Sequence, residues 1–273
     1  MKLRAFPLVV VLSAVTLAAT PGASPAGTPE QDGNVRSDLV ALSGRRVFFG
    51  HQSVGMNVLD GLRALAAEEG VPLRIVERRT AAGIDPGTVA HMFVPSNGHP
   101  LQKLESFEAA MGPASPADPD VALVKFCFVD FDPDTDVAAL FARYQATLAR
   151  LKAAHPRTVF VHVTVPLTTA EHGPKDLLKR ILGRATSSTV NARREAFSDL
   201  LRAAYACREP LFDLARVEST TPDGHRESGI WQGHAVPALV PAYTSDGAHL
   251  NSMAARRAAA ALVSVLARTH ATP

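Results

Sequence analysis

The chain has 273 residues, 47% hydrophobic and 20% charged, the balance of a globular protein able to bury a sizeable core. Its 28 Lys and Arg stand against 26 Asp and Glu, with no long basic run. Nucleic acid and anionic membrane surfaces are therefore not expected as partners.

Residues 1–26 read as a signal peptide and leader. Lys2 and Arg4 precede the apolar run "FPLVVVLSAVTLAA", which is short for a membrane span. The expectation is export to a periplasmic or extracellular space, with no stable membrane insertion once the signal is removed. Losing Lys2 and Arg4 leaves 26 basic residues against 26 acidic ones. Residues 27–43 are expected to be a flexible N-terminal segment, and 44–270 a single domain.

Within that domain strand-like runs alternate with helical patterns. "RRVFFG" (45–50) is the first strand and 54–70 the first helix, with apolar residues at 58, 59, 62 and 65. A second strand is expected at 72–78. A third, "DVALVKFCFVDF" (120–131), is apolar enough to be buried on both faces. A helix at 135–156, a strand at 158–167, a helix at 189–207, a strand at 210–215 and a helix at 251–270 complete the series. Such alternation predicts a five-stranded parallel sheet between two layers of helices, with its functional loops beyond the C-terminal strand ends. Three segments interrupt it: 79–119, with a helix "LQKLESFEAAM"; 168–188, with "PKDLLKRILG"; and 216–250, with the sole Trp, Trp231. Long connections there build substrate sites or lids.

The chemistry begins at "GHQSVG" (50–55). Ser53 stands between a strand and a helix. A serine there can cap the helix. It can equally be a nucleophile, because the free N–H groups of a helix start stabilise an oxyanion. The second feature is "YTSDGAHLN" (243–251). Its Asp246-x-x-His249 is the only such spacing in the chain. Imidazole can accept a serine proton, and a carboxylate can orient the imidazole.

These two motifs, in this order and separated by an α/β pattern, resemble the SGNH/GDSL hydrolase superfamily over roughly residues 44–268. The resemblance implies a flavodoxin-like three-layer α/β/α sandwich and a serine esterase or acyl hydrolase. It implies Ser53 as nucleophile, His249 as base and Asp246 as its partner, with no cofactor and no metal. A small-molecule or glycan ester is the implied partner, a carbohydrate-linked acetyl ester the leading one. An O-acyltransferase with the same triad and a non-catalytic glycan-binding module on the same fold are the alternatives. The family's Gly-Asp-Ser is here His51-Gln52-Ser53, a divergent form. In the family the oxyanion is held by the serine N–H, a glycine N–H after the second strand and an Asn side chain after the third. Ser53 and Gly83 fit the first two roles. The Asn is missing, with Val129-Asp130 in its place. Asn57 and the amide of Gln52 are the candidate replacements.

His51, Asp130 and Thr168 are further candidates for binding substrate. His162, inside a strand, reads as a core histidine, and His51, His91, His99, His225 and His234 as loop residues. A metal held by His51, Asp130 and His249 is conceivable, but no local spacing supports it. Arg193-Arg194 and Arg256-Arg257 read as solvated helix faces. Cys127 and Cys207 show no zinc-type spacing and are expected to be unpaired or buried, although an exported chain could pair them.

Overall fold

The computed structural model describes residues 35–171, 173, 182 and 185–269. The expected leader, and all of "PKDLLKRILG" except Leu182, lie outside the described residues.

Six strands form one parallel sheet in the order β2-β3-β1-β4-β5-β6. They are β1 Arg46–His51, β2 Arg74–Glu77, β3 Thr88–Phe93, β4 Val121–Val124, β5 Val159–Val163 and β6 Leu211–Phe212. The sheet has one strand more than the sequence pattern predicts. The addition is β3, which inserts between β2 and β1 and pairs with both, Arg46 opposite Thr88 and Glu77 opposite His91. Its run "TVAHMF" carries a histidine at its centre, which masked it; that histidine is buried against another from β1.

One helical layer holds α1 Val35–Leu42, α2 Val54–Glu68 and α7 Ser252–Ala267. The other holds α3 Pro100–Met111, α4 Val137–Ala154 and α5 Ser187–Tyr205. The expected flexible segment 27–43 is corrected over its described part by α1, whose Leu39 and Leu42 are fully buried, while residues 27–34 lie outside the described residues. An apolar residue every three to four positions gives that short helix a core-facing stripe. Helices α2 and α7 cross closely at Gly61, where a Cβ would come within 2.2 Å of Ala255 O. No helix of the described residues is long and apolar enough to cross a membrane.

The third predicted strand is shorter than expected. β4 stops at Val124, and 128–130 form a 3₁₀ turn. The 216–250 segment carries α6 Leu214–Glu218 at its start and a hairpin, β7 Ser228–Trp231 and β8 His234–Pro237. Gln232 and Gly233 turn the hairpin with φ of 50° and 80°, the left-handed pair that suits a tight two-residue loop.

Candidate active site

From β1 the chain crosses to the edge strand β2 and returns to β3 on one side of β1, and from β4 it goes on to β5 on the other. Loops after β1 and β4 therefore diverge and leave a crevice at the C-terminal edge of the sheet. Ser53 stands at that point. Its φ of 50° and ψ of −106° are strained for a residue with a side chain. It precedes α2 but makes no capping bond with its side chain. Its Oγ instead makes a short hydrogen bond with Nε2 of His249.

His249 reaches Ser53 from the loop before α7. Its Nδ1 lies 2.6 Å from Asp246 Oδ2. The other carboxylate oxygen accepts the backbone N–H groups of Ala248 (2.9 Å) and His249 (2.8 Å), an Asx-type turn. These bonds, that from the His249 backbone foremost, hold the Asp246 carboxyl well below the usual carboxylate range. The edge of Phe128 meets the His249 ring at 5.5 Å and 75°. Asn57, one turn into α2, accepts the Leu250 N–H at 3.2 Å. Its carbonyl oxygen thus secures the histidine loop.

Each residue of "GHQSVG" now has a local reason. A Cβ at Gly50 would collide with Phe107 at 2.6 Å. His51 is fully buried, not in a loop, and its Nε2 meets His91 Nδ1 at 3.1 Å. Burial, with Lys125, His91 and Arg63 nearby, lowers its pKa to about 2, so it stays neutral. The Gln52 amide donates to Val94 O at 2.8 Å, tying the serine turn to the loop after β3. The first helical bonds run from Gly55 N to Gln52 O and from Met56 N to Ser53 O. Among the described residues the N–H groups of Ser53 and Val54 find no acceptor.

Four expectations are corrected. Gly83 lies between β2 and β3, where Arg78 binds its carbonyl at 3.0 Å. Its near neighbour Ala81 bonds the far end of α3 through Ala110 O, away from Ser53. The strand beside β1 on that side is β3, so the loop 94–99 occupies the place expected of the Gly83 loop. His51 cannot touch substrate because it is wholly enclosed. Asp130 cannot either: its side chain is fully buried and bonds Lys103 Nζ (2.7 Å), Cys127 N (2.6 Å) and Gly98 N (2.9 Å). His51, Asp130 and His249 are thus engaged with separate partners. Arg194 is not on a solvated face but is 5% exposed.

Thr168 stands at the exit of β5, held by Asn191 and Arg194 (Nη1 to Oγ1, 2.9 Å). Its neighbour Thr169 donates its N–H to Gly247 O at 2.9 Å, bracing the histidine loop. His162 is buried, between Tyr144 Oη (2.7 Å) and Glu209 (3.0 Å). Both cysteines are free, Cys127 buried and Cys207 exposed. Phe128, Asn97 and Lys103 escape the sequence reading. The only available signal was the polar "SNGHP" after a strand that itself went unseen.

No protein-family model matches the chain, and no curated protein matches its sequence. Solved structures do. A GDSL-like lipase from Bacteroides thetaiotaomicron is 13% identical, with a TM-score of 0.48 over 85% of this chain and 95% of that one. An acetyl xylan esterase is 14% identical, TM-score 0.46, over 81% and 98%. TesA is 14% identical, TM-score 0.43, over 81% and 98%. The chain is thus similar, over most of its length, to solved structures of GDSL-type lipases and esterases.

Proposed function

We propose that this protein is a serine ester hydrolase in which Ser53, His249 and Asp246 form a catalytic triad. The observation that carries the reading is the Ser53–His249–Asp246 hydrogen-bond chain, drawn from opposite ends of the sequence. Ser53 Oγ attacks the ester carbonyl and passes its proton to His249 Nε2. The same imidazolium then protonates the leaving alcohol. Water, deprotonated by His249, attacks the acyl-enzyme and frees Ser53. Asp246 fixes the imidazole tautomer and offsets its positive charge.

The oxyanion is held by the unpaired N–H groups of Ser53 and Val54 at the start of α2. Asn97 supplies a side-chain donor. Its Oδ1 accepts from the buried Lys103 at 3.0 Å, which leaves its NH2 available as a donor. Gly98 beside it is pinned to Asp130, and Val94 to Gln52. The N-terminal Lys2, Arg4 and apolar run support an exported enzyme, and the motif resemblance suggests a carbohydrate-linked acetyl ester as its substrate.

Fluorophosphonate labelling with mass-spectrometric site mapping tests the assignment. The label is expected on Ser53 and absent from Ser53→Ala. A Ser53→Ala protein that hydrolyses p-nitrophenyl acetate at the wild-type rate overturns it.

A further inference from the structure

Arg194 sits on α5, inside the wall of the crevice. It is 5% exposed, yet its bonds all go to neutral oxygens. Nε donates to Phe128 O (3.0 Å), and Nη1 to Thr168 Oγ1 (2.9 Å) and Asn191 Oδ1 (2.6 Å). Among the described residues no carboxylate lies within ion-pair distance of it. Arg202, two turns along the same helix, shows the usual arrangement: it bonds Asp213, Glu195 and Asp199. A buried guanidinium without a counter-charge is costly. The cost is visible here, since burial lowers the Arg194 pKa to about 10.

Among the described residues the remaining nitrogen, Nη2, has no hydrogen-bond partner. The guanidinium bridges Phe128, in the loop after β4, and Thr168, at the exit of β5. The guanidinium lies 5.8 Å from the Phe128 ring, and that ring touches the imidazole of His249. A donor without a partner, on a fixed cation that has no carboxylate within ion-pair distance, thus stands one aromatic side chain away from the reacting histidine. Guanidinium is suited to binding a carboxylate.

We propose that Arg194 forms an anion subsite: its free Nη2 binds a carboxylate carried by the substrate ester, selecting acidic esters over neutral ones. This inference rests on the esterase reading above. The three bonds to neutral oxygens preorganise the fork, so the substrate supplies the missing negative charge.

The test compares esters that differ only in charge. On the acyl side, p-nitrophenyl monoesters of succinic, glutaric and adipic acid are set against their methyl-capped forms. On the alcohol side, 4-acetoxybenzoate is set against its methyl ester. At least one acidic member is expected to be favoured about 10- to 100-fold in kcat/KM, the worth of a charge-assisted hydrogen bond, with the gain in KM. Arg194→Met should abolish that preference, and Arg194→Lys should restore part of it. Equal or better turnover of every neutral ester by the wild-type protein overturns the proposal, and this holds whether or not Arg194→Met folds. Calorimetric titration of Ser53→Ala with the same esters separates the two readings. If the wild-type protein turns over none of them, the esterase reading fails, and charge-selective binding still decides for or against the anion subsite.

Discussion

A Cβ on Gly55 would stand 2.4 Å from the Cβ of His51. The helix that carries Ser53 therefore begins in direct contact with the imidazole two residues before it. His51 has no room to yield, being enclosed and joined to His91. Gly55→Ala is expected to cost about 1–3 kcal/mol, the range for overpacking a filled core. It should also displace Ser53 and lower esterase activity. Thermal unfolding and p-nitrophenyl acetate assays check both; an unchanged melting temperature would show that the turn relaxes freely.

Asp246 governs the histidine without being buried. Its carboxyl is held well below the ordinary range by the backbone and ring N–H groups of His249 and by Ala248. It therefore remains ionised as the pH falls through the usual carboxylate range, and activity lost in that range does not come from Asp246. Asp246→Asn removes the charge that stabilises the imidazolium. A drop in kcat of about 10²- to 10⁴-fold is expected, with little change in melting temperature because the side chain is half exposed. A kcat within twofold of wild type argues that His249 works without this partner.

The fold class and the ends of the triad are legible in the sequence because each has a local signature. Strand–turn–helix marks Ser53, and Asp246 and His249 are three residues apart. What escapes is non-local. β3 is hidden by His91, whose place in the core depends on a histidine forty residues earlier. Gly83 seemed to follow the strand beside β1 only because β3 was missed. Asp130 looked like a group facing substrate because nothing nearby in sequence reveals that Lys103, from another helix, neutralises it. Arg194 looked solvated because helix periodicity does not say which loops fold over a helix.

Lys103 and Asp130 are both fully buried and 2.7 Å apart. Taking away one member leaves the other charged and unpaired, at a cost of about 3–5 kcal/mol. Asp130→Ala is expected to show that loss in chemical denaturation. The loop 97–98 should also loosen, since Asn97 hangs on Lys103 and Gly98 on Asp130. Replacing both with apolar residues of similar size should recover stability but not activity. Full activity in the stable double variant would remove Asn97 from the oxyanion site.

Glu218, at the end of α6, is buried to 1% exposure. One oxygen accepts the Leu167 N–H at 2.8 Å, and the other has no partner. Burial raises its pKa from 4.5 to about 8, against the Leu167 hydrogen bond and the charges of Lys125 and Arg194, which act the other way. The folded state thus holds a proton that the unfolded chain has lost. Below about pH 4.5 both states are protonated and the full stability is present. Between about pH 4.5 and 8 only the unfolded chain releases its proton, so stability falls as pH rises, and the decline ends near pH 8. At about 1.4 kcal/mol per unit the loss amounts to roughly 3–5 kcal/mol. Buried Lys125, whose pKa is lowered by desolvation, works oppositely and restores stability at higher pH. Glu218→Gln keeps the bond to Leu167 and cannot ionise. Its denaturant midpoint should vary less between pH 5 and 8 than that of the wild type, with the largest gain at the alkaline end. Parallel pH profiles for the two proteins would mean that Glu218 is ionised in the fold at neutral pH.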